Sequence, residues 1–464
     1  MAASKTSTEV VDQKEFLESP SRVAEHVETT QTFTWTAEEE KKLVRKIDMF
    51  LLPNIWLMYL LSYMDRTNIG NAKIAGMAED LELTSSQYSI ILVVFFVGYV
   101  IFEPPSNMIL VRTRPSLYLP AIMVIWGVLT CIMSVVQSYH HLIILRVFVG
   151  VMESGFAPGI LLIFSSWYKR TEQSKRFAVF MSAAILSGAF GGLLAGAITG
   201  GLEGAHGIRG WRWLFIVEGV ATIGWAIIAA FLLLDFPANT RHLTDRERAI
   251  AIARLQEDSV TVRGHSEKVG KMQSLILALR DWRTWGFIFG YMVIVGSSTL
   301  SYFYPTLVHG LGYTSTVQAQ YMTNQVPIYA VAFVCTAISG YFADRVSNYR
   351  GLIIAGWLSF SMITSIAVCV VYNFTARYAL LVLMAAGLWA SNAISLSFAA
   401  STFGSMDAEV RAVALALMNA LGNLAQIYGA YLFPSDDAPK YLMGFGVISG
   451  ISSYPVGISR PRQN

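Results

Sequence analysis

The sequence has little charge. Asp, Glu, Lys and Arg make up 14% of its 464 residues, and apolar residues make up 54%. An ordinary soluble protein carries about 25% charged residues. A chain this long and this apolar does not fit a single soluble core, so the composition predicts an all-α polytopic membrane protein in a lipid bilayer. The net charge of +3 is spread over separate loops, which excludes a basic face for nucleic acid.

Cysteine is also scarce. Cys131, Cys335 and Cys369 lie inside apolar runs, without CxxC spacing or neighbouring histidines. This pattern predicts neither a metal site nor a disulfide. The sequence contains no evident nucleophile–base pair, so it argues against an enzyme and against a bound cofactor. The first 48 residues lack the apolar core of a secretory signal.

Long apolar runs recur from Met49 onward, each about 20 residues, the length that spans a bilayer as a helix. The predicted spans are 49–66, 88–110, 117–137, 141–166, 177–199, 212–234, 284–304, 321–343, 351–372, 377–402, 411–433 and a short last span at 441–457. They divide the chain into a polar tail (1–48), a first six-helix half (49–234), a central loop (235–283) and a second half with a shortened or incomplete last helix (284–464).

The distribution of Lys and Arg predicts the orientation. With the N-terminus in the cytosol, the inner segments hold most of the basic residues, above all in the central loop. Reversing the protein would invert this bias, which the positive-inside rule disfavours. We therefore expect a cytosolic N-terminus. We also expect a monomer that is integral to the membrane, with the plasma membrane favoured over an internal one.

The central loop has no catalytic constellation. Its stretch DFPANTRHLTDRERAIAIARL predicts a short helix, because Thr244 and Glu247 have the spacing of a capping box. The expected role is a cytosolic connector lying along the membrane surface.

Two ionisable residues share the fourth span. Arg146 and Glu153 are seven positions apart in RVFVGVMESGFAPG, which places them on one helix face. Charges in lipid are costly and need a partner or a function. Glu153 is a candidate for carrying a proton or contacting substrate near the middle of the bilayer. The alternative is a structural carboxylate that pairs with a neighbouring helix.

A second group of charges lies toward the outer side. The first span ends at Asp65 and Arg66 in YMDRTNIGNAK, and the sixth opens with Arg212 and Glu218 in GWRWLFIVEG. Asp65, Arg212 and Glu218 have a depth similar to that of Arg146, so these four are predicted to cluster. The cluster is either a gate that makes and breaks or a static ion-pair network. For Asp65 and Arg66, a gating or folding role is favoured over substrate contact.

Other polar groups complete the candidates. Glu103 precedes two prolines in EPPSN, which predict a broken backbone hydrogen-bond ladder and a kink in the helix, and it is interpreted as a partner for charges on the cytosolic side. The second half offers neutral amides that either line a polar cavity or bond neighbouring helices: Asn324, Gln325, Asn392, Asn419, Asn423 and Gln426.

The loop between the eighth and ninth spans has the sequence GYFADRVSNYRG. It resembles the loop signature of the major facilitator superfamily, a glycine followed by Asp-Arg and a basic end. The resemblance implies a transporter with two six-helix halves, in which Gly340, Asp344, Arg345 and Arg350 hold the inner gate. The equivalent loop of the first half lacks the Asp-Arg pair, and Glu103 is the candidate substitute.

The ordered set YMDRTNIGNAK, EPPSN, RVFVGVMESGFAPG, GWRWLFIVEG and QIY…DDAPKY, covering residues 45 to 445, resembles the fungal anion:cation symporter branch, which is allantoate permease-like. This resemblance implies proton-coupled uptake of a small organic anion such as allantoate, nicotinate or pantothenate. Arg146 would attract the anion and Glu153 would carry the proton, the coupling ion. Proton-antiport efflux and a nutrient sensor that does not transport are the alternatives.

Overall fold

The computed structural model of this protein is a bundle of helices. It describes residues 35–237, 239–263, 271–310, 326–346, 349–371, 373–403, 406, 408–438 and 440–452. These residues form helices, turns and bends without a strand. Within them, nine helices are long and apolar enough to cross a membrane, and Val413–Gly429 is a shorter apolar helix. The predicted all-α polytopic class is confirmed.

The helices of the first half are α1 (Ala37–Ala72), α2 (Ser85–Arg112), α3 (Pro115–Met133), α4 (Tyr139–Glu153), α5 (Phe156–Trp167), α6 (Arg170–Gly201) and α7 (Gly210–Leu232). The side chain of Thr36 accepts a hydrogen bond from Glu39 at the start of α1, and Thr84 does the same with Gln87 at the start of α2. Each polar cap marks where an apolar helix begins.

The first predicted span, 49–66, is wrong at its end. Helix α1 continues to Ala72, and a π-helical segment, Lys73–Met77, follows it. The polar run after Asp65 does not stop the helix, because Asn68 and Asn71 are buried and the Asn71 amide donates to the Asn68 side chain (2.6 Å). Asp65 and Arg66 therefore lie within the bundle and not at its surface.

The helices of the central loop and second half are α8 (Asp245–Arg263), α9 (Lys271–Arg280), α10 (Trp282–Ser298), α11 (Tyr304–Gly310), α12 (Val326–Arg345), α13 (Arg350–Val370), α14 (Phe374–Thr402), α15 (Ala408–Gly429) and α16 (Leu442–Ser452). The first five positions of the predicted span 321–343 lie outside the described residues. So do positions 453–457, at the end of the last predicted span.

Two local sequences shape the helices near the site. The fourth predicted span is divided at Ser154–Gly155, where α4 ends and α5 begins. Helix α2 continues through Pro104 and Pro105. The two prolines each remove one backbone donor and so interrupt the hydrogen-bond ladder, but the helix does not end there; the predicted kink stays a prediction.

The two halves meet at one end of the bundle. We call the end where α1 begins the near side and the opposite end the far side. On the far side, the Tyr88 hydroxyl donates to the Tyr302 carbonyl (3.4 Å) and the Ser89 hydroxyl donates to the Ala430 carbonyl (2.7 Å). The Tyr88 and Phe303 rings pack edge to face, 5.9 Å apart. These contacts close the far side over the charged residues of the first half.

The predicted central-loop helix forms, and its capping box is present: Thr244 and Glu247 exchange hydrogen bonds of 2.9 Å and 3.3 Å. Helix α8 docks on the first half through Arg254, which is fully buried; its predicted place along the membrane surface stays a prediction. The Arg254 guanidinium donates to the Trp167 carbonyl (2.7 Å) and pairs with Glu172 (3.0 Å).

The next helix, α9, packs on the other half. Its Ala278 is fully buried in an apolar cluster that includes Phe287 of α10 and Phe403 after α14. The two helices of the central loop are thus attached to different halves of the protein.

We expect Arg254→Ala to lower the unfolding free energy by about 3 kcal/mol, because it removes a buried cation that Glu172 and the Trp167 carbonyl need. The measurement is equilibrium unfolding of the purified protein in detergent. The matched control is Arg246→Ala, on the same helix. Its ion pair with Glu39 (2.8 Å) is 60% exposed on the arginine side, so a change below about 1 kcal/mol is expected. Equal effects of the two substitutions would contradict the docking role of Arg254.

The same docking site predicts a pH dependence. Burial opposes ionisation of Glu247, but Lys46 (2.8 Å) and the Thr244 backbone hold its pKa below the ordinary value. A carboxylate with a lowered pKa stabilises the fold above its unfolded-state pKa and loses this contribution as the pH falls through its folded-state pKa. Glu247→Gln should therefore lower the melting temperature at pH 7, and the difference from wild type should vanish once the pH has fallen below the folded-state pKa of Glu247, which lies under the ordinary glutamate value. A difference that persists in acid would contradict this origin.

Candidate substrate and proton pathway

A buried ion pair joins α1 to α4. The Arg66 Nε donates to Glu153 Oε1 at 2.6 Å, and the two side chains are 9% and 1% exposed. The Ser62 hydroxyl, one turn earlier on α1, also donates to Glu153. Tyr63 and Tyr99 place their rings 5.1 and 4.9 Å from the Arg66 guanidinium. Breaking such a pair by removing one partner costs about 3–5 kcal/mol, so Glu153 holds α1 and α4 together.

Arg146 is the second buried cation. It is 1% exposed, and its guanidinium lies over the Phe95 ring at 4.9 Å. It forms no ion pair with a residue that the structure describes, and its Nε has no hydrogen-bond partner there. It interacts electrostatically with Glu153 and with Tyr302 of the far-side contact. A buried guanidinium group that has no ion pair among the described residues is suited to bind an anion.

Asp65 and Glu218 form the acidic side of this group. Asp65 Oδ2 accepts hydrogen bonds from the Trp126 indole and the Thr222 hydroxyl, both at 3.1 Å. Glu218, one turn before Thr222, interacts electrostatically with Asp65. The predicted cluster of Asp65, Arg146 and Glu218 is thus brought together in space.

Arg212 does not join that cluster. It donates to the Ser134 carbonyl (2.6 Å) and stacks on Trp211 at 4.4 Å. Its place in the first turn of α7, two turns before Glu218, directs it to the end of α3. It therefore anchors two helix ends at the far side.

Glu103 is half-buried on α2 and interacts electrostatically with Arg66. Glu103 therefore lies beside the buried charges of the first half, whereas the sequence predicted that it would pair with charges on the near side. Glu103 lies at this depth because α2 does not end at Pro104 and Pro105.

The amides of the second half occupy different settings. Gln426 accepts a hydrogen bond from Thr299 (2.8 Å), and Asn392 accepts one from Tyr291 at 3.5 Å. Asn419 and Asn423 are half-buried on α15, as expected of side chains that line a polar cavity. Two further predicted positions, Asn324 and Gln325, lie outside the described residues.

The loop signature of the second half is described in part. Arg345 lies over the Tyr341 ring at 4.5 Å, and Arg350 donates to the Ala343 carbonyl (3.1 Å). A side chain at Gly340 would meet open space. The side chain of Asp344 lies outside the described part, so its predicted pairing stays a prediction.

Several residues of the site have no charge and were not predicted. Ser62 and Trp126 bond to the buried carboxylates, and Thr222 lies four positions after Glu218 on the same helix face. That spacing is a usable signal. Trp126 gives no such signal, because a tryptophan in an apolar run usually serves packing.

With this geometry established, the chain was compared with known proteins. The sequence profile of the Major Facilitator Superfamily matches residues 55–430. The chain belongs to this superfamily. It is therefore a membrane transporter and not an enzyme, in agreement with the sequence.

Curated relatives come from fungi. The MFS transporter prlL of a fungal species (strain NRRL 50135) is 35% identical over 430 residues, which span 90% of this chain and 84% of that protein. The MFS-type transporter cnsO of Penicillium expansum is 34% identical over 429 residues, spanning 90% and 81%. These likenesses extend over both halves.

Solved structures share the fold. A bacterial homologue of the human lysosomal transporter Spinster, in an inward-facing and unoccupied conformation, superimposes with a TM-score of 0.62, covering 92% of this chain and 89% of that one at 17% identity. The same homologue in an occupied conformation gives a TM-score of 0.63. The major facilitator fold predicted from the sequence is confirmed.

The far-side contact predicts a conformational effect of Gly70. A Cβ at this position would lie 2.6 Å from the Tyr302 carbonyl oxygen, so Gly70→Ala should push α1 away from the second half. We expect faster labelling of a cysteine placed at Ala430, which is 1% exposed, by an impermeant maleimide added from the far side, in a chain without its native cysteines.

The matched control for this experiment is Gly224→Ala, since a Cβ there meets nothing within 4 Å. It should leave the labelling rate unchanged. Equal rates in both variants would show that the close approach at Gly70 does not hold the far side closed.

Proposed function

We propose that the protein takes up a small organic anion together with protons by alternating access, as in the allantoate permease-like branch. The observation that carries this proposal is the buried Arg146 guanidinium, which has no ion pair among the described residues. In a bilayer such a charge needs an anionic partner. A carboxylate substrate would supply that partner through charge-assisted hydrogen bonds.

The Arg66–Glu153 pair supports the proton part. Glu153 can release Arg66 only if another group neutralises it, and a proton is the smallest one. Arg66 lies beside Arg146, and the two guanidinium groups repel each other. Protonation of Glu153 would free Arg66 to join Arg146 on the incoming carboxylate, so that binding of the proton and binding of the anion favour each other.

The orientation gives the direction of access. With the N-terminus in the cytosol, as the distribution of Lys and Arg favours, the far side faces outward and its closure corresponds to an inward-facing state. We infer that the protein works in this orientation as a monomer in the plasma membrane. The contact of Tyr88 with Tyr302 and Phe303 would then be the outer gate, and the loop around Arg345 the inner one.

We expect Arg146→Gln to reduce uptake of the anion about tenfold or more, since a hydrogen bond to a charged group contributes about 1.5–3 kcal/mol. Arg146→Lys, which keeps the charge, should retain part of it. The measurement is uptake of radiolabelled allantoate, nicotinate and pantothenate at several external pH values, in a host without its own organic-anion permeases. Arg241→Gln, which changes an exposed arginine, is the control, and full uptake by Arg146→Gln would contradict the role of Arg146.

The same assay tests the proton. Glu153→Gln should abolish accumulation driven by an acid exterior, because an amide does not bind and release a proton. The proposal fails if this variant, present at normal surface level, still accumulates substrate with the pH dependence of the wild type.

Efflux by proton antiport is the second candidate, favoured by the rings of Tyr63, Phe95 and Tyr99 around Arg66. Such rings would stack on a flat aromatic compound. Acid-driven export from preloaded cells, with no uptake of the carboxylates, would decide for efflux. Binding of a carboxylate without transport in either direction would indicate a nutrient sensor.

A further inference from the structure

Glu218 is buried without an ion pair to any described residue. It is 2% exposed on α7, and neither of its carboxyl oxygens has a hydrogen-bond partner among the described residues. The group that acts on it electrostatically is another carboxyl, that of Asp65. A buried, unpartnered carboxylate beside a second one is unfavourable, because burial removes water from both charges and their repulsion adds to that cost.

Asp65 has one carboxylate oxygen that can still accept a hydrogen bond. Its Oδ2 accepts from Trp126 and Thr222, whereas its Oδ1 has no partner among the described residues. Both donors are neutral, so they do not cancel the charge. A single proton bound by the two carboxyl groups would remove one of their charges and end the repulsion between them.

The helices around the pair supply few other charges. Helix α4 contributes Arg146 and Glu153, which act on Asp65, and α3 contributes the Cys131 thiol. The stretch of α6 from Phe180 to Gly201 contains no titratable residue. The remaining charged groups are directed elsewhere: Arg66 to Glu153, Arg212 to the Ser134 carbonyl, and Lys73, after α1, to the Tyr88 ring at 4.2 Å.

The charges of this group can be counted. Two buried guanidinium groups, Arg66 and Arg146, face three buried carboxyl groups, Asp65, Glu153 and Glu218. Without a proton these five buried groups sum to −1, and with one proton to zero; the half-buried Glu103, which also acts on Arg66, is outside this count. Because Glu153 already has Arg66 as its partner, the unpartnered Glu218 and Asp65 are where this proton is needed.

We propose that Asp65 and Glu218 together bind one proton, forming a proton site separate from the Glu153–Arg66 pair. A monoanion that binds Arg146 would return the sum to −1 and so favour uptake of a second proton, which links the two events electrostatically. This part in coupling rests on the function proposed above, whereas occupancy by the proton is measured without transport.

The first experiment is infrared spectroscopy of the full chain in liposomes at neutral pH. The wild type should show the carbonyl absorption of a protonated carboxylic acid. That absorption should be lost in Glu218→Gln and shifted in Asp65→Asn, while Glu38→Gln, at an exposed glutamate of α1, should leave it unchanged. Two independent variants keep the test usable if one of them does not fold.

Two results would overturn the proposal. One is a wild-type spectrum without a protonated carboxyl group, as expected if the pair were ionised and bound a metal cation. The other is an absorption that neither substitution at the pair alters, which would place the proton elsewhere.

The second experiment tests the role in coupling. If the pair takes part, stimulation of carboxylate uptake by an acid exterior should be lost in Glu218→Gln at normal surface level. Acid stimulation equal to that of the wild type would exclude the pair from coupling. If the wild type transports none of the carboxylates, the proposed function fails, and the infrared result still decides whether the proton site exists.

Discussion

The ion pair between Arg66 and Glu153 is the interaction on which the first half depends. It joins the C-terminal part of α1 to the end of α4, in a place where water does not screen or replace it. The Ser62 hydroxyl and the rings of Tyr63 and Tyr99 are arranged around that pair. A transporter needs such a contact to be strong when closed and to be released by a small chemical change. In the proposed mechanism, the proton that Glu153 binds is that change.

The helical class follows from the sequence, because about 20 apolar residues in lipid leave the backbone few alternatives to a helix. The end of α1 did not follow from it. Hydropathy ends the first span at Arg66, because the polar residues Thr67, Asn68 and Asn71 follow. The helix continues because α3, α4 and α7 supply partners for Asp65 and Arg66, from positions distant in sequence.

The candidate site shows the same division. Arg146, Glu153 and Glu218 were found because a charge within an apolar run is conspicuous. Which arginine pairs with Glu153 could not be predicted, since Arg66 and Arg146 are equally suited to it by charge. Helix packing decides between them. Arg254 shows the limit most clearly: nothing in a polar, charged loop distinguishes this arginine, which is fully buried, from the exposed arginines of the same loop.

The central loop has a further consequence for how the chain is assembled. Helix α8 is held by the first half through Arg254, and α9 by the second half through Ala278. The covalent link between the halves is therefore confined to the residues between these two helices, and neither half depends on the other to order its own portion of the loop. If the chain were divided between α8 and α9, each fragment would keep both the loop helix and the surface on which that helix docks. The two fragments should therefore reassociate in one membrane when they are expressed as separate chains.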